Sequence, residues 1–367
     1  MLKEKKVKDE LSYVYALGLL IVSVSLCLLA YFLYQFYGNA RFFPQDHNDT
    51  APLSDTLEVQ DCVHRRVLDG VCVATAYETE REVLAIMVEN HFESWPQSGL
   101  DKARIVYEAP VEGNIPRFMA LYLLDDEVHK VGPVRSARPY YLDWLLEYGR
   151  PLYMHVGGSP QALSRISETD IFDINEFYHG WYFWRSSDRL APHNTYTSSK
   201  LWKKAFDQYA KDQKEFTSSS WHYSETESCA VNCAGSIEIN FGSPVYTVEW
   251  KYNTSTGKYE RFQMKEPHLN QDGSVMSADT VIVQRVNTKT IDAIGRKEMD
   301  TIGAGSAMIF RDGYVVEGRW IKESLESKTS WVDADGQDIA LKAGKIWIEV
   351  LNQISVLDYS SDSGVWN

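Results

Sequence analysis

The 367-residue chain carries none of the short signatures that announce a familiar chemistry. Neither Ser136 nor Ser159 sits in a G-x-S-x-G elbow, which argues against a serine hydrolase. The Gly157-Gly158 loop is too short for a dinucleotide or phosphate-loop fingerprint, so no cofactor is expected. No H-E-x-x-H or other dense ligand pattern occurs, so no metal is expected either. Positive charge is in short supply: 37 basic residues stand against 51 acidic ones, a net −14 that argues against a nucleic-acid partner. Long internal repeats are absent. Charge is missing altogether from Leu11 to Gly38.

That uncharged run is ample for one helix across a bilayer. Lys3, Lys5, Lys6 and Lys8 precede it, whereas Arg41 is the sole lysine or arginine between it and Arg65. The lysine asymmetry predicts a cytoplasmic tail at 1–10, a transmembrane anchor at 11–38 and an extracytoplasmic remainder. The run is long for a signal peptide and its exit lacks a small-x-small site, so an uncleaved anchor is expected. Removing the tail's four lysines and three acidic residues leaves the outer part at −15.

Cysteine is also scarce, at five residues, and Cys27 falls within the apolar run. The spacings of the other four suggest Cys62–Cys72 and Cys229–Cys233 disulfides in an oxidising compartment, although four cysteines allow three connectivities. Residues 39–80 are expected to form a stalk and lead-in. A mixed α/β domain is predicted at 81–220, a linker at 221–235 and a mainly antiparallel β domain at 236–358. The predicted class is therefore α+β, behind one transmembrane helix.

The continuous apolar run Val83–Val88 predicts a strand covered on both faces. Arg104–Ala109 reads as a second strand, and Arg117–Leu124 with Val128–Val131 as a hairpin. Ser136 is placed to cap a helix that carries Pro139 in its first turn and stops at Gly149. Leu152–Val156 predicts an inner strand, after which Ser159-Pro160 repeats the cap-and-proline signal. Beyond Gly235 alternation replaces helical periodicity, with turns at Arg311-Asp312-Gly313 and Ala334-Asp335-Gly336. His179 and Trp181–Trp184 are expected to pack in the core or between domains.

Several of these motifs resemble a known family. Val88-Glu89-Asn90, Pro96-Gln97-Ser98-Gly99-Leu100, Val106-Tyr107-Glu108, Gly132-Pro133-x-Arg135-Ser136-x-Arg138-Pro139, His155-x-Gly157-Gly158-Ser159-Pro160 and Ala191-Pro192-His193-Asn194-x-Tyr196-Thr197-Ser198 are similar to the N-terminal domain of YerB-like bacterial envelope proteins. Val248-x-Trp250-x-Tyr252, Ile309-Phe310-Arg311-Asp312-Gly313, Gly318-x-Trp320 and Trp347-Ile348-Glu349 resemble its C-terminal domain. The resemblance runs over roughly residues 80–355. Many relatives look like lipoproteins, and this chain departs from them in its expected helical anchor. The family is of unknown function, so the resemblance implies an architecture and an address but no reaction.

Arg135 and Arg138 lead the functional candidates. Cations beside a helix N-terminus are disfavoured unless an anion or a carboxylate compensates them. The functional expectation is an anion site formed by Arg135, Ser136 and Arg138, approached by the Gly157-Gly158-Ser159 turn and His155, and closed by His193-Asn194. The competing expectation is internal pairing with Glu108, Glu112 or Asp143. His155 or His193 could serve as a general base, and Glu89, Glu108 and Glu112 could supply carboxylates for glycoside cleavage. The first reading is a membrane-anchored protein that binds an anionic or carboxylate-bearing envelope component. A cell-wall polymer hydrolase and a scaffold for another membrane protein are the alternatives.

Overall fold

The computed structural model describes residues 22–32, 62–210, 220–224, 229 and 234–360. The chain separates into two compact units, Met1–Gln60 and Asp61–Asn367. In the first, residues 22–32 are helical with exposed side chains. The rest of the expected anchor lies outside the described residues. Among the described residues, no helix is long and apolar enough to cross a membrane.

The second unit is built on two sheets. Its main strands, in chain order, are β1 (Val83–Glu89), β2 (Ile105–Pro110), β3 (Pro116–Leu123), β4 (Leu152–His155), β5 (Phe172–Asn175), β6 (Ser236–Asn240), β7 (Thr247–Asn253), β8 (Lys258–Gln263), β9 (Thr280–Arg285), β10 (Gly303–Arg311), β11 (Tyr314–Lys322), β12 (Ser330–Val332), β13 (Ile346–Leu351) and β14 (Val356–Ser360). The larger sheet has ten strands in the order β12-β11-β10-β9-β13-β2-β3-β1-β4-β5. The smaller contains β8-β7-β6-β14, with two short strands paired to β8. The N-terminal part is thus mixed α/β and the later part mainly antiparallel.

The segments read as separate α/β and β domains meet within one sheet. Strand β13 lies parallel to both β9 and β2, placing Ile348 beside Ile282 on one side and Tyr107 on the other. Strands β1, β2, β3 and β13 are buried along their whole length, as their mainly apolar sequences lead one to expect, and each carries a single charged residue, Glu89, Glu108, Arg117 and Glu349 respectively. Apolar side chains on the two faces of this sheet form two cores, one of which also takes in the inner residues of β6–β8.

Two local expectations change. Residues 128–131 do not form a hairpin with β3, which pairs with β1 and β2 instead. Val131 exchanges backbone hydrogen bonds with Thr197, so that segment is satisfied from another part of the chain. The first helix, α1 (Pro139–Leu145), has Arg138 and not Ser136 as its capping residue, with no side-chain cap. By contrast, Ser159 does cap α2 (Pro160–Ser167), accepting from the Ala162 amide. Trp181 is 63% exposed and lies outside the core expected for it, while Tyr182 and Phe183 are buried.

A Cys62–Cys72 disulfide closes the lead-in, and Leu68 between them enters a core. Cys233 lies outside the described residues, as does the pairing expected of it.

Candidate functional site

The site is built where the parallel strands end. Strand β1 finishes at Glu89, and β3 runs the opposite way, so Arg117 at its start lies directly across from Glu89. The chain from Pro133 to Ala137 threads between the ends of β1 and β4. The Glu89 amide donates to the Pro133 carbonyl and the Arg135 amide to Met87, while the Val156 amide donates to Arg135. This threading explains the two glycines. Ala137 forms a bridge with Gly158, and a Cβ on Gly157, at φ +59°, would sit 2.6 Å from the Phe177 ring.

These elements enclose a cavity of about 220 Å³, lined by Glu89, His91, Glu93, Arg117, Arg135 and His193 among others. Crevices outside the carboxyl ends of strands are the usual ligand positions in open α/β sheets. Arg135 Nε donates to Glu89 Oε1 at 2.8 Å, and His193 Nδ1 lies 2.9 Å from Glu89 Oε2. His193 Nε2 lies 3.0 Å from Glu93 Oε2, and the His91 and His193 rings stack at 5.1 Å. The loop bearing His193 is held down by Arg189, which donates to the carbonyls of Ser94 and Pro96.

Arg138 pairs with Glu112 through two bonds of 2.7 Å. Burial opposes ionisation of Glu112, but the Arg138 guanidinium holds its carboxyl below the usual range. Arg117 is treated differently. It is 8% exposed and donates from Nη1 to the Ser136 carbonyl at 2.7 Å. Among the described residues no carboxylate comes within ion-pair distance of it. Burial, followed by repulsion from Arg138, pushes its guanidinium down to about 10.

Of the sequence candidates, the structure brings Arg135 and His193 to the cavity. Ser136 contributes its carbonyl to Arg117. Arg138 stands behind Glu112, itself a lining residue. His155 is fully buried, with Nδ1 on the Gly157 carbonyl and Nε2 2.6 Å from Asp173. Ser159 is committed to its cap. Asn194 donates to Ser186 and accepts from Arg185, which shapes the His193 loop. Of the carboxylates expected to pair with the arginines, Glu112 does so. Asp143 takes Arg165 instead, and Glu108 takes Arg261. The partner of Arg135 is Glu89.

Sequence reasoning did not single out Arg117, His91 or Glu93. Arg117 looks like an ordinary strand terminus. The signal that could have found it is a charged residue near the start of a strand whose remaining six positions are all apolar.

Two segments of the chain match the family of proteins of unknown function DUF3048, its N-terminal domain over residues 68–214 and its C-terminal domain over residues 237–348. The chain is similar to a Bacillus subtilis (strain 168) protein named "Putative lipoprotein YerB", with 30% identity over 291 residues, 78% of this chain and 86% of that protein. It is also similar to the crystal structure of YerB protein from Bacillus subtilis, with a TM-score of 0.70 and 28% identity, covering 80% of this chain and 99% of that one. The paired domains, in the same order and over most of the length, establish that this chain belongs to the DUF3048 family.

Proposed function

We propose that the chain is a membrane-associated bacterial envelope protein that binds an anionic, carboxylate-bearing envelope component in the cavity beside Arg117 and Arg135. The address is supported by the uncharged run at 11–38, its preceding lysines, and the lipoprotein name of the Bacillus relative. The observation that carries the binding reading is Arg117. A nearly buried guanidinium bonded to a neutral carbonyl is poorly compensated, and an incoming carboxylate would supply the missing charge through a forked pair.

One observation favours a second reading, hydrolysis of a cell-wall polymer. His193 lies within hydrogen-bond reach of both Glu89 and Glu93 in the same cavity, a geometry suited to a general base. The two readings part on what happens to the ligand. Full-length protein is incubated with envelope fractions, and retained and released material is identified by mass spectrometry. Retention of an intact anionic component supports binding. Cleaved products lost in His193→Gln support hydrolysis, and failure to retain or cleave anything contradicts both.

A further inference from the structure

We propose that His91, Glu93 and His193 form a divalent-cation site of the zinc type at the mouth of this cavity. One ligand atom from each residue lies within 4.8 Å of the others. Two donors on a single tetrahedral zinc, each about 2.0–2.1 Å from the metal, stand about 3.4 Å apart. His193 Nε2 to Glu93 Oε2 is 3.0 Å, somewhat shorter than that edge, and His91 Nδ1 to the same oxygen is 3.5 Å, close to it. His91 supplies the third edge to His193, which lies within 4.8 Å. The His91 Nδ1 is engaged by a long bond, 3.3 Å, from the Glu93 amide.

Two further features point the same way. Glu89 takes the Nδ1 side of His193 and is itself gripped by Arg135, the arrangement that fixes a histidine ring with Nε2 turned toward a metal. Carboxylate oxygens face both nitrogens of His193. A cation between Nε2 and Glu93 balances that arrangement. The Glu93 side chain is 56% exposed, leaving open coordination positions that face solvent and the cavity. Arg189 anchors the His193 loop directly to Ser94 and Pro96, beside the other two ligands.

This site does not depend on the anion reading. Zinc chloride is titrated calorimetrically into metal-stripped, untagged full-length protein in detergent, with no other ligand present. Cobalt(II) absorption in the visible serves as a second readout. One saturable site per chain is expected. Binding should weaken at least tenfold in His91→Ala and in His193→Ala, and roughly ten- to a hundredfold in Glu89→Gln, where the ligands remain but their orienting partner is weakened. Glu93→Gln changes an exposed side chain and guards against misfolding as the cause, with metal-free melting curves run on every variant. Absence of saturable binding, or binding unchanged in the His91→Ala/His193→Ala double variant, overturns the proposal. Phosphate titrated into the metal-stripped protein, with no chelator left in the buffer, reports on the anion pocket separately, so either idea can fail alone.

Discussion

Arg261 Nη2 donates to both carboxylate oxygens of Glu108, at 2.8 and 2.9 Å, with both side chains fully buried. Glu349 lies next to Glu108 across parallel strands and accepts from Trp250 through Oε1, while its Oε2 has no partner. Burial, then the neighbouring Glu108 charge, raises the Glu349 carboxyl well above its usual range. A proton on Glu349 satisfies the orphan oxygen and leaves one negative charge for one arginine. Burial and Arg261 also depress His268 well below the usual histidine range, and its Nδ1 accepts from Arg261 while Nε2 faces Gln97.

Breaking this pair should cost about 3–5 kcal/mol in Glu108→Gln or Arg261→Gln, because each leaves a charge buried alone. Urea unfolding measures it. Glu349→Gln should be close to neutral, since an amide can accept from Trp250 and donate to Glu108.

The same pair sets a pH dependence. With its folded value raised, Glu349 holds a proton that the unfolded chain has lost, so its contribution to stability falls as pH rises above the ordinary carboxylate range. Glu349→Gln removes that slope. Its advantage over the native chain should therefore grow with pH, and parallel unfolding curves for the two proteins would contradict the shared proton.

Lys345 should act in the opposite direction. Its Nζ donates to the carbonyls of Leu100 and Asp101, and burial, opposed by Asp101, lowers the amine to about 7. Between that value and the ordinary lysine range the unfolded chain binds more protons. Stability should rise with pH across this window in the native chain and rise less in Lys345→Met, as measured by melting temperature.

Loss of the Cys62–Cys72 disulfide should cost about 2–3 kcal/mol, the scale for a short closed loop. Hydrogen exchange in Cys62→Ser/Cys72→Ser should quicken over residues 62–72 and stay slow in β1–β3.

What could be read from the sequence was local. The apolar run at 83–88, the Ser159-Pro160 cap and the Arg311-Asp312-Gly313 turn all carry their structural instruction within a few residues, and each formed as expected. The failures were matters of distance. His91 and Glu93 meet a histidine 100 residues later through a loop latch that leaves no periodic signal. Arg135 finds Glu89 across 46 residues, and β13 enters the sheet beside β2 from the far end of the chain. Ser136 has the composition of a cap, but Pro139 starts the helix one residue after Arg138, so the cap position passes to the arginine.

On the proposed binding function, Arg117 is the cation left for a ligand, whereas Arg138 is already paired with Glu112. The decisive comparison titrates the retained envelope component into the native chain, Arg117→Gln and Arg138→Gln, with melting curves on all three. Arg117→Gln should weaken binding by about 1.5–3 kcal/mol, the scale of a charged hydrogen bond, without a matching loss of stability. Arg138→Gln should lower the melting temperature and change affinity little. The reverse pattern, with affinity lost in Arg138→Gln and retained in Arg117→Gln, would contradict the account.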